Sequence, residues 1–174
     1  MKNIPLIVTV GQVAILPYYI IWLKEASMTY TLFAWFFAMF SFAAAWGYRV
    51  YQTKKNKGRP YIFFVYAGMG TVYLAVGLIR TPFDSLPYVV LLIQILLGFL
   101  QGYFRAWHIE QKEYHLHAVH HYLLVGCAMI GLSLVYVLSP SFFLNLFGCL
   151  MMVCAIGEFF RKKDAMEKSN EIGD

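Results

Sequence analysis

The sequence predicts an all-α integral membrane protein: a compact bundle of six transmembrane helices with both termini in the cytoplasm. The composition, six long apolar runs and the sidedness of the basic residues all support this fold class. Of the 174 residues, 60% are hydrophobic and only 13% are charged, whereas a typical soluble domain is about 25% charged. A soluble domain with this composition could not cover its surface, and the apolar and aromatic content excludes intrinsic disorder.

A helix needs about 20 mostly apolar residues to cross a bilayer. Six runs meet this requirement: Ile4–Leu23, Thr29–Val50, Tyr61–Ile79, Leu86–Phe104, Val119–Leu138 and Phe142–Phe160. They occupy nearly the whole chain, so we expect a single transmembrane domain over 1–174 that closes with a short charged cytoplasmic tail, 161–174. Strands of a β-barrel alternate apolar and polar residues, and the continuous apolar runs argue against that architecture.

The first three runs differ in what they carry. The first is longer than the apolar core of a signal peptide, about 7–15 residues, and Pro17 cannot donate to the carbonyl of Val13, so we expect a kinked transmembrane helix. The second is rich in aromatic rings on all sides, which predicts interfacial belts and packing contacts. In the third run, Gly68, Gly70 and Gly77 predict close approach of neighbouring helices.

Polar side chains at membrane depth are costly unless they are partnered, so their positions are informative. The runs contain five of them: Gln12, Gln94, Gln101, Asn145 and Glu158. Gln94 and Asn145 are expected to face the bundle interior. Glu158 lies one turn before Arg161 and Lys162, and either of them can neutralise it. The set is compatible with a transport pathway, although its spacing forms no recognisable one.

The basic residues predict the orientation of the chain. With six spans, twelve of the 14 Lys and Arg residues fall on the side of the termini: Lys2, Arg49, Lys54, Lys55, Lys57, Arg59, Arg105, Lys112, Arg161, Lys162, Lys163 and Lys168. Only Lys24 and Arg80 fall on the other side. Because cytoplasmic loops carry an excess of Lys and Arg, we expect both termini in the cytoplasm and the protein in a bacterial inner membrane.

All five histidines lie in the segment 107–121, together with two glutamates. The segment contains no Gly or Pro, so we expect a helix that leads into the fifth run. At 100° per residue, five side chains share an arc of about 100°: Glu110, Glu113, His117, His120 and His121. His108 and His115 point to the opposite side.

The same face continues into the fifth run as Cys127, Ala128 and Gly131. Small residues mark the side of a helix that meets its neighbours, so we expect the arc to face the bundle. The alternative is that the segment is polar only because it lies in the hydrated membrane interface.

Three chemistries suit the arc. Glu113, His117 and His121 are spaced i, i+4 and can chelate one ion from a single helix face. With His120 as a further ligand, they are the predicted ligands of zinc or iron. Glu110 and His120 are the acid–base candidates. Protonation of the histidines near neutral pH is the second chemistry. Haem is the third, with His108 opposite a histidine at the start of the fifth run.

The pentapeptide His117-Ala118-Val119-His120-His121 has the form HxxHH. It resembles one histidine box of the membrane fatty-acyl desaturases and hydroxylases, and this resemblance implies iron. Those families use several such boxes, and the others are missing from this chain.

Three hypotheses for function follow. The first is a metal- or haem-binding membrane protein, with an enzyme acting on a lipid-soluble substrate left open. The second is a small-molecule transport or substrate-capture subunit, because six helices in a chain of this length resemble the substrate-binding subunits of vitamin importers. That hypothesis predicts a site in the outer half near Arg80, Asp84 and the kinked first helix. The third is an accessory or sensor protein with proton-responsive histidines, working through a partner membrane subunit or a second copy. The lipid bilayer is a partner in each case, and no feature indicates nucleic acid.

Overall fold

The computed structural model of the protein describes residues 4–25, 29–54, 62–79, 83, 85–110, 118–133 and 139–171. Over these residues the fold is all-helical, as predicted. The helices are α1 (Ile4–Glu25), α2 (Tyr30–Lys54), α3 (Ile62–Leu78), α4 (Leu86–Glu110), α5 (Ala118–Ser133) and α6 (Pro140–Glu171). Each predicted apolar run corresponds to one helix, because each run is long enough to satisfy its own backbone hydrogen bonds. α6 continues beyond the predicted end at Phe160, through most of the charged segment, to Glu171.

Four segments of the described chain are long and apolar enough to span a membrane: Ile4–Lys24, Thr31–Thr53, Leu86–Glu110 and Pro140–Arg161. α3 is apolar but has only 17 residues, or about 26 Å of helix against about 30 Å of bilayer core. Large apolar side chains are exposed on several helices, including Trp35 (63%), Phe42 (71%) and Leu92 (68%). An exposed apolar surface of this kind fits an integral membrane protein.

α3 packs against α6 and α4, and side chains of α1 reach it through hydrogen bonds. It runs antiparallel to α6, because the rings of Phe63 and Phe159 lie 5.7 Å apart at one end and Asn145 bonds to Gly77 at the other. It runs parallel to α1, where Trp22 Nε1 donates to the carbonyl of Ile79 at 3.3 Å. Nine of the 17 residues of α3 are buried, so this short helix is covered largely by protein.

α2 packs mainly on α4, and the two helices run parallel. Their backbones touch through glycines: a Cβ added at Gly98 would lie 3.0 Å from the carbonyl carbon of Phe40, and one at Gly47 would lie 2.9 Å from that of Phe99. Gly98 and Gly102 form a GxxxG pair, which allows two helices to approach closely. The predicted contacts of α3 are confirmed as well, since Gly70 faces the carbonyl of Gly148.

One expectation for the fifth helix is wrong. Cys127 and Gly131 are both exposed, and a Cβ at Gly131 would meet open space. Small residues allow another helix to approach closely, but they do not determine whether a helix packs there. α5 packs on α1, and Ala128 is half-buried, but at Cys127 and Gly131 the face below the histidines meets no neighbouring helix among the described residues.

The contacts above define the two ends of the bundle. We call the end where α2, α4 and α6 finish the tail end, and the end where α4 and α6 begin the head end. α1 and α3 start at the tail end, because both run antiparallel to α6. The ring of Tyr18 lies 4.3 Å from that of Phe143 near the head end, while Ile4 approaches Gly157 towards the tail end.

Candidate functional site

Polar side chains from three helices meet a single stripe of α3. The stripe consists of Tyr66, Met69, Tyr73 and Gly77, whose spacing of three or four residues places them on one face of the helix. We call this stripe and the polar side chains that reach it the polar file. It runs along the bundle interior from one end of α3 to the other.

Each helix around α3 contributes one hydrogen bond to the polar file. From α1, Gln12 Nε2 donates to the sulfur of Met69 at 3.3 Å. From α4, Gln101 Nε2 donates to the hydroxyl of Tyr73 at 3.4 Å. From α6, Asn145 Nδ2 donates to the carbonyl of Gly77 at 3.3 Å. The polar residues that look scattered in the sequence are therefore gathered along one axis.

The head-end half of the polar file contains three buried polar atoms with no hydrogen-bond partner among the described residues. They are the Tyr19 hydroxyl, Gln94 Nε2 and Asn145 Oδ1. Tyr19 is 4% exposed and Gln94 is 1% exposed. The prediction that Gln94 and Asn145 face the interior is confirmed.

Contacts along α3 place these three groups at similar depth. Asn145 bonds to Gly77, and Tyr19 lies between the levels of Tyr73, whose ring is 6.5 Å away, and Ile79, which accepts from Trp22. α4 runs antiparallel to α3, because Phe104 lies 5.6 Å from Tyr66 while Gln101 bonds to Tyr73; Leu100 lies against Gly68. Gln94, six or seven residues earlier, is therefore level with 74–80 of α3.

Tyr73 is the centre of this layer. Its ring packs edge-on against Tyr19 and against Phe147, whose centroid is 4.9 Å away. The layer thus combines aromatic walls with amide and phenol groups, the usual mixture at sites for small molecules. No charged side chain among the described residues contributes to it.

An ion pair with a buried carboxylate and an exposed guanidinium lies near the tail end. Glu158 is 5% exposed, and its carboxylate accepts from Arg161, one turn later, at 2.7 Å. This confirms the partner expected from the sequence. The hydroxyl of Tyr66 lies within electrostatic range of Glu158 and has no hydrogen-bond partner in the described part of the chain. The ion pair therefore adds a polar group of no net charge beside Tyr66, at the tail end of the polar file.

A separate pocket of about 280 Å³ opens between the ends of α2 and α4 at the tail end. Its lining residues are Tyr48, Tyr51, Gln52, Ala106, Ile109 and Glu110. The hydroxyl of Tyr51 donates to Glu110 Oε2 at 2.5 Å, and the Tyr51 ring packs edge-on against Tyr103. The buried Tyr51 thus orients the carboxylate of Glu110, at the C-terminal end of α4.

The predicted metal-ligand arc lies mostly outside the described residues. Glu113 and His117 belong to 111–117, outside the described ranges, and His120 and His121 lie in the first turn of α5, where the structure describes only the backbone. His108 lies in the last turn of α4 and stacks on Phe104 at 5.7 Å. Within the described ranges, no three His, Cys, Asp or Glu side chains are close enough to hold a metal ion.

No protein-family model, no curated protein and no solved structure matches this chain.

Proposed function

We propose that the protein crosses a bacterial inner membrane six times, with both termini in the cytoplasm. The antiparallel contacts of α3 and α6 support this topology, as does the side on which Arg49, Arg105 and Arg161 fall. α3 is short, but a helix that is covered largely by other helices does not need a full apolar length.

Reporter fusions test the topology. A fluorescent protein fused at the C-terminus should fold and fluoresce in the cytoplasm, and alkaline phosphatase should be active when it follows Lys24 or Ser139. Active phosphatase after Lys54 or at the C-terminus would contradict the proposed orientation.

We further propose that the bundle interior captures or conducts a small, uncharged polar solute. The observation that carries this proposal is the polar file: every turn of one α3 stripe meets a polar group, and three buried polar atoms on α1, α4 and α6 share one level. An unpaired buried polar group costs about 1–3 kcal/mol, and inside a membrane such groups mark substrate pathways. A solute that pairs with them would remove that cost.

Proteoliposomes test this function, with glycerol and urea as probes of solute entry by light scattering. Native mass spectrometry of the same preparation detects any retained small molecule. We expect the wild type to admit a probe faster than empty vesicles or to carry a bound molecule. Gln94→Leu and Asn145→Leu should each reduce the signal roughly tenfold, the effect of about 1.4 kcal/mol of lost hydrogen bonding.

The matched control is Leu92→Ala, which changes an exposed side chain of the same helix as Gln94. It should behave as the wild type does. Wild-type protein that neither admits a probe nor carries a molecule, or polar-file variants that equal the control, would contradict the proposal.

A second candidate function is metal binding at the tail end by Glu113, His117, His120 and His121, with zinc or iron as the metal. The observation that favours it is the Tyr51–Glu110 hydrogen bond, which orients the first carboxylate of the histidine segment. Zinc at such a site would activate water, whereas iron would support redox chemistry. Haem, with His108 as a ligand, is the alternative cofactor.

Elemental analysis and an absorption spectrum of the detergent-purified protein test this candidate. We expect one metal or haem per chain, lost in His117→Ala and retained in His115→Ala, because His115 points away from the predicted arc. Protein that contains no stoichiometric metal and shows no haem spectrum would refute the candidate.

A further inference from the structure

The head-end half of the polar file contains a free hydrogen-bond acceptor on α6. Asn145 Nδ2 donates to the carbonyl of Gly77 at 3.3 Å. Because a carbonyl oxygen can only accept, the amide nitrogen must be the atom that faces it. Asn145 Oδ1 is then the remaining polar atom of the side chain, and it is buried without a partner. A ligand that satisfies it must bring an N–H or O–H group.

Gln94 supplies the complementary group, a free donor on α4. Its side chain is 1% exposed, and its Nε2, which carries two N–H groups, has no hydrogen-bond partner among the described residues. The contacts of α4 and α6 with α3 place Gln94 level with Asn145. A ligand that satisfies both amides must therefore carry an acceptor as well as a donor.

The Tyr19 hydroxyl, on α1, is the third free group, and it can donate or accept. Its ring is held between Trp22, which stacks on it at 6.0 Å, and Tyr73, which meets it edge-on at 6.5 Å. The polar atoms of these two neighbours already have partners, since Trp22 Nε1 donates to Ile79 and the Tyr73 hydroxyl accepts from Gln101. The free hydroxyl of Tyr19 thus adds to the two amides as a group that a ligand can use.

A primary carboxamide matches these three atoms. It carries one carbonyl oxygen and two N–H groups, whereas a ketone has no donor, and glycerol brings three hydroxyl protons to the two acceptors among the three atoms. The rings of Tyr73 and Phe147 border the layer, and a planar amide packs closely against flat aromatic surfaces. The match in hydrogen bonding and the match in shape favour the same chemical group.

We propose that the layer of Tyr19, Gln94 and Asn145 recognises an uncharged primary carboxamide. This inference rests on the proposed solute function of the polar file and names the chemical class of its solute. Gln94 donates to the carbonyl oxygen of the ligand, whose N–H groups donate to Asn145 Oδ1 and to the Tyr19 hydroxyl. The described residues contribute no charged side chain to the layer, so an ionised ligand would be buried there without a counter-charge.

Saturation-transfer NMR on the full chain in a non-ionic detergent tests the proposal, with acetamide as the probe. Acetone is the isosteric control, because it keeps the carbonyl and replaces the amide nitrogen by a methyl group. Glycerol is the control for a hydroxyl ligand. Acetamide should bind at least roughly tenfold more tightly than either control, since each control leaves a buried polar atom unpaired. Equal affinity for acetamide and acetone would overturn the proposal without any variant, and so would a lack of acetamide binding, the result expected if the layer holds only water.

Variants separate the two halves of the amide. Gln94→Leu should weaken acetamide and acetone by the same factor, because both ligands carry the carbonyl that Gln94 meets. Asn145→Leu should weaken acetamide roughly tenfold and leave acetone unchanged, and Tyr19→Phe, which removes only the hydroxyl, should weaken acetamide severalfold. Tyr88→Phe is the matched control at a tyrosine that is 77% exposed, and it should bind as the wild type does. An acetamide preference that persists in both Asn145→Leu and Tyr19→Phe would overturn the proposal.

The proteoliposome assay separates this proposal from the solute function. Wild-type protein that admits glycerol or urea but shows no preference for acetamide would overturn the carboxamide proposal and leave the solute function in place. Protein that admits no probe, retains no molecule and binds no acetamide would contradict both. A preference for acetamide in protein that admits no probe would support the carboxamide proposal and indicate capture rather than conduction.

Discussion

Replacing Gly102 with alanine tests whether α2 is held on α4 by direct contact between the two backbones. A Cβ at this position would lie 2.6 Å from the carbonyl carbon and 2.7 Å from the Cα of Ala44, whereas non-bonded carbons need about 3.5–4.0 Å. The helices would have to separate by about 1 Å. Since Gly98 and Gly47 keep the backbones equally close, no side-chain rotation relieves the clash. We expect a loss of about 2–3 kcal/mol, the upper part of the range for overpacking.

Unfolding in mixed micelles of dodecyl maltoside and dodecyl sulfate, followed by tryptophan fluorescence, measures this loss. Trp46 of α2 lies 5.2 Å from Phe99 of α4, so its emission reports separation of the pair. Gly126→Ala is the matched control because a Cβ there meets nothing within 4 Å, and it should be neutral or stabilising by up to about 1 kcal/mol. Stability of Gly102→Ala within about 0.5 kcal/mol of this control would refute the close-contact interpretation.

Three further predictions use the same titration. Gln94→Leu removes a buried donor without a partner and should stabilise the protein by about 1–3 kcal/mol; lower stability would show that Gln94 is paired in the folded protein. Arg161→Ala leaves the buried Glu158 without its ion partner and should cost about 1–2 kcal/mol, less than for a fully buried pair because Arg161 is 58% exposed; a change no larger than that of Arg105→Ala would contradict this. Gly77→Ala would press on the Asn145 amide, whose carbon is 2.5 Å from the added Cβ. That side chain can turn, so the cost should be about 1 kcal/mol and should vanish in an Asn145→Ala background, and a cost that persists there would exclude Asn145 as its source.

Local features could be predicted from the sequence because they depend on residues close together in the chain. The six helices follow from the length of their apolar runs, and the Glu158–Arg161 pair follows from a separation of three residues on one helix. The interior position of Gln94 follows from the free-energy cost of exposing a side-chain amide to lipid without a hydrogen-bond partner.

The polar file was not predictable in this way. Gln12, Gln101 and Asn145 were recognised as polar residues at membrane depth, but their partners lie 57, 28 and 68 residues away. Tyr19, Tyr66 and Tyr73 were not among the residues predicted to be polar groups of the interior. A signal did exist: a buried tyrosine hydroxyl needs a partner.

The α2–α4 contact shows a similar gap. The GxxxG spacing of Gly98 and Gly102 marks a helix surface that another backbone can approach, yet it does not say which helix does so. The opposite error occurred in α5, where small residues at Cys127 and Gly131 indicated a contact that the bundle does not make. The predicted histidine arc stays a prediction, since most of it lies outside the described residues.

By itself, the sequence determined that the chain forms apolar helices, where each of them begins, and which side chains could not face lipid. It did not predict that α6 continues from Phe160 to Glu171. The predicted properties follow from the solvent. Inside a bilayer the backbone must satisfy its own hydrogen bonds, which a helix does, and a polar side chain in contact with lipid costs free energy. Only the tertiary structure decided that α3 packs between α4 and α6, that α2 runs parallel to α4, and that amides from three helices meet one stripe. Those outcomes depend on which helix surfaces fit together. The fit involves two segments that are distant in the chain, so the sequence of one helix alone does not predict it.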